Sequence, residues 1–586
     1  MNRDDARELG PVRTFEAPVD RPWLWAPLAA RVDIELADQV VPCQQQGQHW
    51  VAPAPLAVGD PYRFVVDGDV VPDPRSRAQP QGVHGPSSWT LPTPRRAATS
   101  GPPRSDTLER AVIYELHVGT FSPAGTFLGA LDGLDHLVRL GVTHVEIMPV
   151  AAFDGRVGWG YDGVDLFAPH PAYGSETDLA RFVDACHERG LSVLVDVVLN
   201  HLGPSGNYLH ASAPYFTDRY STPWGDAVNL DAEHADGVRR FLLDVAGHWL
   251  EDLGVDGLRL DAVHELYDNS AVPLLEQLQH EVRRIEGRSG RRRVLIAESD
   301  RNDPRVVTPP PAGTGLDGVW ADDLHHCLHV ALTGEHLGYY EDVRDGDLAL
   351  ALTAAQTHQG RWSPHRARTV GRPVGGVSSE HFVVALQNHD QVGNRAGGER
   401  LHQLVGVDRT AAAAALVLLS PFSVLLFQGE EWAASSPFPY FSDHSGELGD
   451  AIRRGRREEF AAFGWSEHEV ADPQSEATFD SARLRWSELT GAPHADVLGW
   501  YRSLLSLRAT HPDLGPSPLP AGEARHEHGV VVVRRGGLTV VANLAASTSA
   551  VDLSPEGDVV LERGERRAHR GSLELAPGSV VVLADA

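Results

Sequence analysis

Short apolar runs alternate with amphipathic stretches through the middle of the chain. The runs are AVIYELHV from Ala111, VTHVEIMPV from Val142, SVLVDVVL from Ser192, DGLRLD from Asp256, RVLIAES from Arg293, GVWAD from Gly318, FVVALQN from Phe382 and SVLLFQ from Ser423. Their length and nearly continuous apolar character are those of parallel strands buried on both faces. Most intervals carry apolar residues at helical spacing, such as LGALDGLDHLVRLG before the second run and TDLARFVDACHERG before the third. Eight strand and helix units of this kind predict an α/β fold, a (β/α)8 TIM barrel. The apolar stretch from Ala411 to Phe427 is split by Ser420-Pro421 into a helix-like and a strand-like piece, each too short to span a membrane.

The pattern changes on either side of this unit. Between residues 20 and 72, WLWAP, ARVDIEL and YRFVVDG are separated by Pro, Gly and Asp, which predicts a small N-terminal β-sandwich, assigned to residues 1–92. LPTPRRAATSGPPRSDT, from Leu91 to Thr107, has no apolar periodicity, and a linker is placed at 93–106. The barrel is assigned to 107–512, ending with the helix-like VLGWYRSLLSLRATHP. Within it, residues 432–490 are rich in charge and aromatics and read as an insertion near the eighth strand, either shaping the cleft or forming a solvated excursion. GVVVVRRGGLTVVANLA and SVVVLADA predict a C-terminal antiparallel β domain over 513–586. Trp23, Trp25 and Trp50 lie in the first domain, where burial is the commoner use of Trp and glucan binding the alternative.

Composition narrows the functional classes. A chain of 586 residues exceeds what one core usually holds, consistent with a large catalytic domain and smaller companions. With 51 basic against 80 acidic residues, the net charge of -29 repels phosphate backbones and anionic lipid heads, so neither nucleic acid nor a membrane is an expected partner. MNRDDARELG lacks a basic start and an apolar core, so a cytoplasmic protein is expected. Cys43, Cys186 and Cys327 are odd in number and far apart, which argues for buried thiols over disulfides or a thiolate metal site.

Three carboxylates close three of the apolar runs: Asp261 in GLRLDAVH, Glu298 in VLIAESD and Asp390 in VVALQNHD. Such a barrel assembles its chemistry at the C-terminal ends of its strands. Side chains alternate along a strand, so Arg259 and Asp261 face the same way, and the guanidinium stabilises the ionised acid that a nucleophile requires. Glu298 has no positive neighbour in sequence; among other carboxylates in a desolvated cleft it suits a general acid. Asp390 follows Asn388 and His389, a polar cluster suited to hydroxyl-rich substrates and to positive charge developing at a reacting carbon. DVVLNH adds Asp196, Asn200 and His201. His201 and His389 have no short ligand spacing, which argues against a metal site.

DVVLNH, GLRLDAVH, IAES and QNHD together resemble the four strand-end motifs of the α-amylase family of glycoside hydrolases, in the same order. The resemblance implies Asp261 as nucleophile, Glu298 as acid/base and Asp390 as transition-state stabiliser. It implies that Arg259, His201 and His389 line the subsite of the sugar being attacked, that Tyr161 of WGYDG stacks on that sugar, and that Asp196 is mostly structural. DPRSRAQPQGVHGPSSW, WADDLHH, NHDQVGNRAGGERL and FPYFSDHSGEL further resemble the trehalose-releasing branch of this family. That resemblance implies a maltooligosyl trehalose substrate, cleaved at the α-1,4 bond next to its terminal trehalose, with a glycogen branching enzyme as the alternative. It implies a pathway partner, the maltooligosyl trehalose synthase that makes the capped substrate, and no cofactor. The segment 201–230 is short for the calcium-bearing insertion of many amylases, so no required metal is expected. Asp322, Asp323 and His325 of WADDLHH, with His264 and Glu265 of AVHE, follow the sixth and fourth strands and are placed near the trehalose side, with ion pairing beneath the site as the alternative.

Overall fold

The computed structural model describes the chain except residues 1–14, 16, 38, 92–103, 462–463, 466–469, 554–556, 570 and 586. Most of the linker placed at 93–106, and the N-terminal decapeptide, lie outside the described residues.

The eight apolar runs form a closed parallel barrel: β1 (Val112–Leu116), β2 (His144–Ile147), β3 (Ser192–Val197), β4 (Gly257–Leu260), β5 (Val294–Ala297), β6 (Gly318–Trp320), β7 (Phe382–Ala385) and β8 (Ser423–Phe427), which closes on β1. Alternation along each strand divides the side chains. Ile113, Leu194, Ile296, Val383 and Leu425 fill the lumen with Trp320, while Val112, Tyr114 and Leu116 face the surrounding helices. The same alternation turns Glu115, Asp196 and Arg259 inward above that plug. Pro421 stands between the helix Val407–Leu418 and β8, so the long apolar stretch is two elements, and among the described residues no helix is long and apolar enough to cross a membrane.

Before the barrel, two antiparallel sheets enclose Leu24, Ile34, Trp50 and Phe64. Trp25 and Trp50 are buried, and the edge of Trp25 meets Tyr215 of the barrel domain at 5.4 Å. Arg75 pairs with Asp244 at 2.8 Å, and Arg77 with Glu176 at 2.8 Å and Asp252 at 2.6 Å, so Trp25 and these arginines dock the sheets on the barrel, while Trp50 fills the core between the sheets. After the barrel come a five-stranded and a three-stranded antiparallel sheet between Glu523 and Ala584. All three cysteines are buried thiols.

The stretch after β8 is in part a cleft wall and in part an exposed helix. Phe438, Phe441 and Phe479 pack with Met148, Trp159 and Phe427, whereas the helix Gly446–Ala461 buries only Gly449 and Phe460.

Candidate active site

Asp261 directly follows β4 and Glu298 directly follows β5, and these strands are neighbours with Leu260 opposite Ala297. Asp390 lies beyond the end of β7, in the first turn of the short helix His389–Gly393. A reciprocal cap aims it. Asn388 Oδ1 accepts from the Asp390 N–H at 2.9 Å, and Gln391 Oε1 accepts from the Asn388 N–H at 2.7 Å.

Arg259 joins the acids. Its fully buried guanidinium donates from Nη1 to both oxygens of Asp196, at 2.9 and 2.8 Å, and to Asp261 Oδ1 at 3.0 Å. Nη2 lies 3.1 Å from Glu298 Oε2, and the Trp320 ring packs 4.2 Å from the guanidinium carbon. Strand order thus supplies the cationic partner that Glu298 lacks in sequence. Asn200 Nδ2 holds Asp261 from the other side, donating to Oδ2 at 2.8 Å and to its carbonyl at 2.6 Å. Glu298 Oε2 accepts the N–H of Ala262 at 2.7 Å.

Beneath them, burial raises the Asp196 carboxyl to about 7 although Arg259 opposes the shift. Tyr161 Oη donates to Asp196 Oδ2 at 2.7 Å, and its ring stacks on His389 with centroids 5.1 Å apart and planes 21° apart. Burial by itself would lower the His389 pKa; Glu115, 2.5 Å from Nδ1, and the charge of Asp390 together outweigh it and raise the imidazole to about 9. His201, whose pKa is lowered chiefly by burial, donates from Nε2 to the Tyr161 carbonyl at 2.9 Å. Its ring lies flat under Trp224, 4.0 Å away and 3° from parallel, and half of that indole is open to solvent.

The residues expected on the trehalose side divide. His264 and Glu265 lie in a short turn just after Asp261, and His264 Nε2 is 3.9 Å from Asp300 Oδ1. His264 Nδ1, Glu265 Oε2 and Asp300 Oδ1 are buried without a hydrogen-bond partner among the described residues. Asp322 reaches the cleft. Its Oδ1 accepts from Gln391 Nε2 at 3.2 Å, and burial, then the charges of Glu298 and Asp390, raise its carboxyl to about 7. Asp323 and His325 lie under the floor, 7% and 3% exposed. Asp323 accepts from Asn302 at 2.7 Å and from the Thr357 hydroxyl at 2.8 Å; burial would raise its carboxyl, but His358, the charge of His326 and the Thr357 backbone N–H hold it below the ordinary range. His325 sits between the Leu386 carbonyl at 2.6 Å and Tyr340 Oη at 3.0 Å, and burial pushes its pKa well down.

Sequence reasoning missed Glu115, Trp224, Trp320 and Gln391. Glu115 had a signal, as the one acid inside AVIYELHV. Trp224 had none, since its hairpin offers no strong periodicity.

The alpha-amylase catalytic-domain family matches residues 93–225. The malto-oligosyltrehalose trehalohydrolase of Arthrobacter ramosus is 46% identical to this chain, covering 95% of it and 98% of the relative. The chain belongs to the malto-oligosyltrehalose trehalohydrolase family. The trehalohydrolase of Mycobacterium tuberculosis is 43% identical, with 96% of this chain and 98% of that one covered. By contrast, a 1,4-alpha-glucan branching enzyme of Bacillus caldolyticus is 34% identical over only 36% of this chain and 34% of its own, a partial match beside the nearly full-length ones. A solved structure described as a putative alpha amylase from Salmonella typhimurium has a TM-score of 0.89 and 38% identity, covering 98% of this chain and 99% of that one.

Proposed function

We propose that this chain hydrolyses the α-1,4-glucosidic bond next to the terminal trehalose of a maltooligosyl trehalose, by retaining double displacement on Asp261 and Glu298. The observation that carries the reading is the convergence of both carboxylates on the single Arg259 guanidinium. Glu298 gives its proton to the departing oxygen while an Asp261 oxygen bonds to the anomeric carbon, and trehalose leaves. Glu298, now a base, takes a proton from water; the hydroxide oxygen bonds to the anomeric carbon, and the ester to Asp261 breaks. Retention requires the two carboxyl groups roughly 5–5.5 Å apart.

Around this centre, Asp390 stabilises positive charge at the reacting carbon. The Tyr161 ring packs on the attacked glucosyl unit, and His389 donates to its hydroxyls. Arg259 and Asp196 set the charge beneath, and His201 holds the Tyr161 loop. On the leaving-group side, the unpartnered atoms of His264, Glu265 and Asp300 gain partners from trehalose hydroxyls, since a buried polar atom left unpaired costs about 1–3 kcal/mol. Asp322 adds an acceptor there, while Asp323 and His325 support it from below. The substrate comes from a reaction that isomerises the terminal linkage of a maltooligosaccharide, the work of a maltooligosyl trehalose synthase. Product analysis on maltotriosyltrehalose and maltopentaose side by side tests the reading. Strong preference for the capped chain with release of free trehalose is expected; equal cleavage of both, or formation of branch points, would contradict it.

A further inference from the structure

Glu115 stands at the end of β1, 1% exposed, with Glu146 of β2 and Phe427 of β8 as its register neighbours. Both its oxygens go to one residue carried by the β7 loop. Oε1 lies 2.5 Å from His389 Nδ1, and Oε2 accepts the His389 backbone N–H at 3.0 Å. Holding ring and backbone together fixes the orientation of the imidazole, as outer partners of reactive histidines do. The remaining nitrogen, Nε2, lies 3.6 Å from Asp390 Oδ1, and the ring face is covered by Tyr161.

We infer that Glu115 is a positioning residue for glycoside cleavage: by holding both Nδ1 and the backbone N–H of His389 it fixes the ring against Tyr161, so that Nε2–H is presented beside Asp390 to the sugar hydroxyls. The inference rests on the proposed function.

The charges around His389 single out Glu115. Burial and Arg259 on β4 favour the neutral ring; Glu115 and Asp390 favour the cation. Asp390 has a side chain 41% exposed, so solvent screens it, whereas Glu115 is enclosed. Glu146 is buried with neither oxygen hydrogen-bonded among the described residues, and burial, then the charges of Glu115 and Asp196, raise its carboxyl well above the usual range, leaving it neutral. Asp196 on β3 is held by Arg259. His117, lowered to about 4 chiefly by burial, and Tyr161, raised well above its usual range chiefly by burial, are neutral.

The test compares Glu115→Gln and Glu115→Asp with the wild type in the full chain, following trehalose release from maltotriosyltrehalose across pH, with unfolding temperature read alongside. The alkaline limb of kcat/KM belongs to the general acid, which must hold its proton, so the His389 proton is read from its own 15N NMR titration, whose alkaline limb is expected near 9 in the wild type. In Glu115→Gln that limb moves to lower pH by about one unit or more, and kcat at neutral pH drops about 10- to 100-fold with a smaller change in KM. Glu115→Asp keeps the limb near its wild-type position. A folded Glu115→Gln enzyme with an unmoved limb would overturn the inference. If that variant does not fold, 15N NMR of histidine-labelled wild type decides, with the residue 389 signals identified by their loss in His389→Asn: an imidazolium at neutral pH supports the inference and a neutral ring overturns it. A wild type that releases no trehalose defeats the proposed function instead, and leaves the NMR result to be judged separately.

Discussion

Glu298 Oε2 accepts the backbone N–H of Ala262 at 2.7 Å, which ties the proposed acid to the residue that follows the proposed nucleophile. Ala262 adopts φ 38° and ψ 50°, a left-handed conformation that an L-alanine rarely takes. Strain of this kind, of order 1–3 kcal/mol, persists where surrounding contacts over-determine the backbone. Here Arg259 grips Asp261 and Glu298 from below, and the Val263 N–H reaches the Glu298 carbonyl at 3.0 Å. The two acids are thereby held as one unit.

Glu298→Gln removes the proton donor and the base while keeping the side-chain size. Trehalose release from maltotriosyltrehalose should fall about 10²- to 10⁴-fold, the usual contribution of general acid–base catalysis. Cleavage of an α-maltosyl fluoride, whose leaving group needs no proton, should keep a fast first turnover. Rapid-quench assay of fluoride checks this, and equal losses on both substrates would argue against the acid role.

Tyr161 contributes a ring face and a hydroxyl in different directions. Tyr161→Phe loses one hydrogen bond to Asp196, worth about 1 kcal/mol, and keeps the face stacked on His389. Tyr161→Ala loses both. Steady-state kinetics should give a much larger fall in kcat/KM for alanine than for phenylalanine; similar falls would place the contribution in the hydroxyl.

Asp322 predicts a pH effect on stability. Its folded pKa is raised from 3.8 to about 7, so the folded chain binds this proton more tightly than the unfolded chain does. Stability from this group is present at acid pH and is lost as pH rises through that window. Asp322→Asn cannot ionise. Its melting temperature relative to wild type should therefore increase on passing from pH 4 to pH 8, and a difference that stays constant over this range would contradict the assignment.

Gly257 opens β4. A Cβ built there would lie 2.4 Å from the Val294 carbonyl oxygen and 2.7 Å from Leu194 Cδ2. Gly257→Ala should cost about 1–3 kcal/mol by overpacking and shift Arg259 with the strand. Denaturant unfolding together with trehalose release should report loss of both; an unchanged midpoint would mean that the barrel yields at this position.

The barrel was legible because parallel strands buried on both faces leave unbroken apolar runs, and Asp261 and Glu298 because the residue closing such a run reaches the barrel mouth. Arg259 as the partner of Glu298 was not legible, since that pairing depends on β4 lying beside β5. Asp322 and Asp323 are adjacent, yet the start of a helix turns one toward the cleft and the other beneath it, which apolar patterning does not register. The helix Gly446–Ala461 escaped notice because GELGDAIRRGRREEFA carries too few apolar residues to mark a buried face. Glu115 was passed over as part of an apolar strand, because its partner His389 is supplied by a distant loop.

The central claim is that the anomeric carbon is transferred to Asp261 before it reaches water. Glu298→Gln treated with α-maltotriosyl fluoride can form the ester without an acid but lacks the base that hydrolyses it, so the adduct should accumulate. Acid quench, proteolysis and mass mapping should find a maltotriosyl group on the peptide containing Asp261. An unmodified Asp261 peptide despite fluoride release, or the sugar on another residue, would contradict the account.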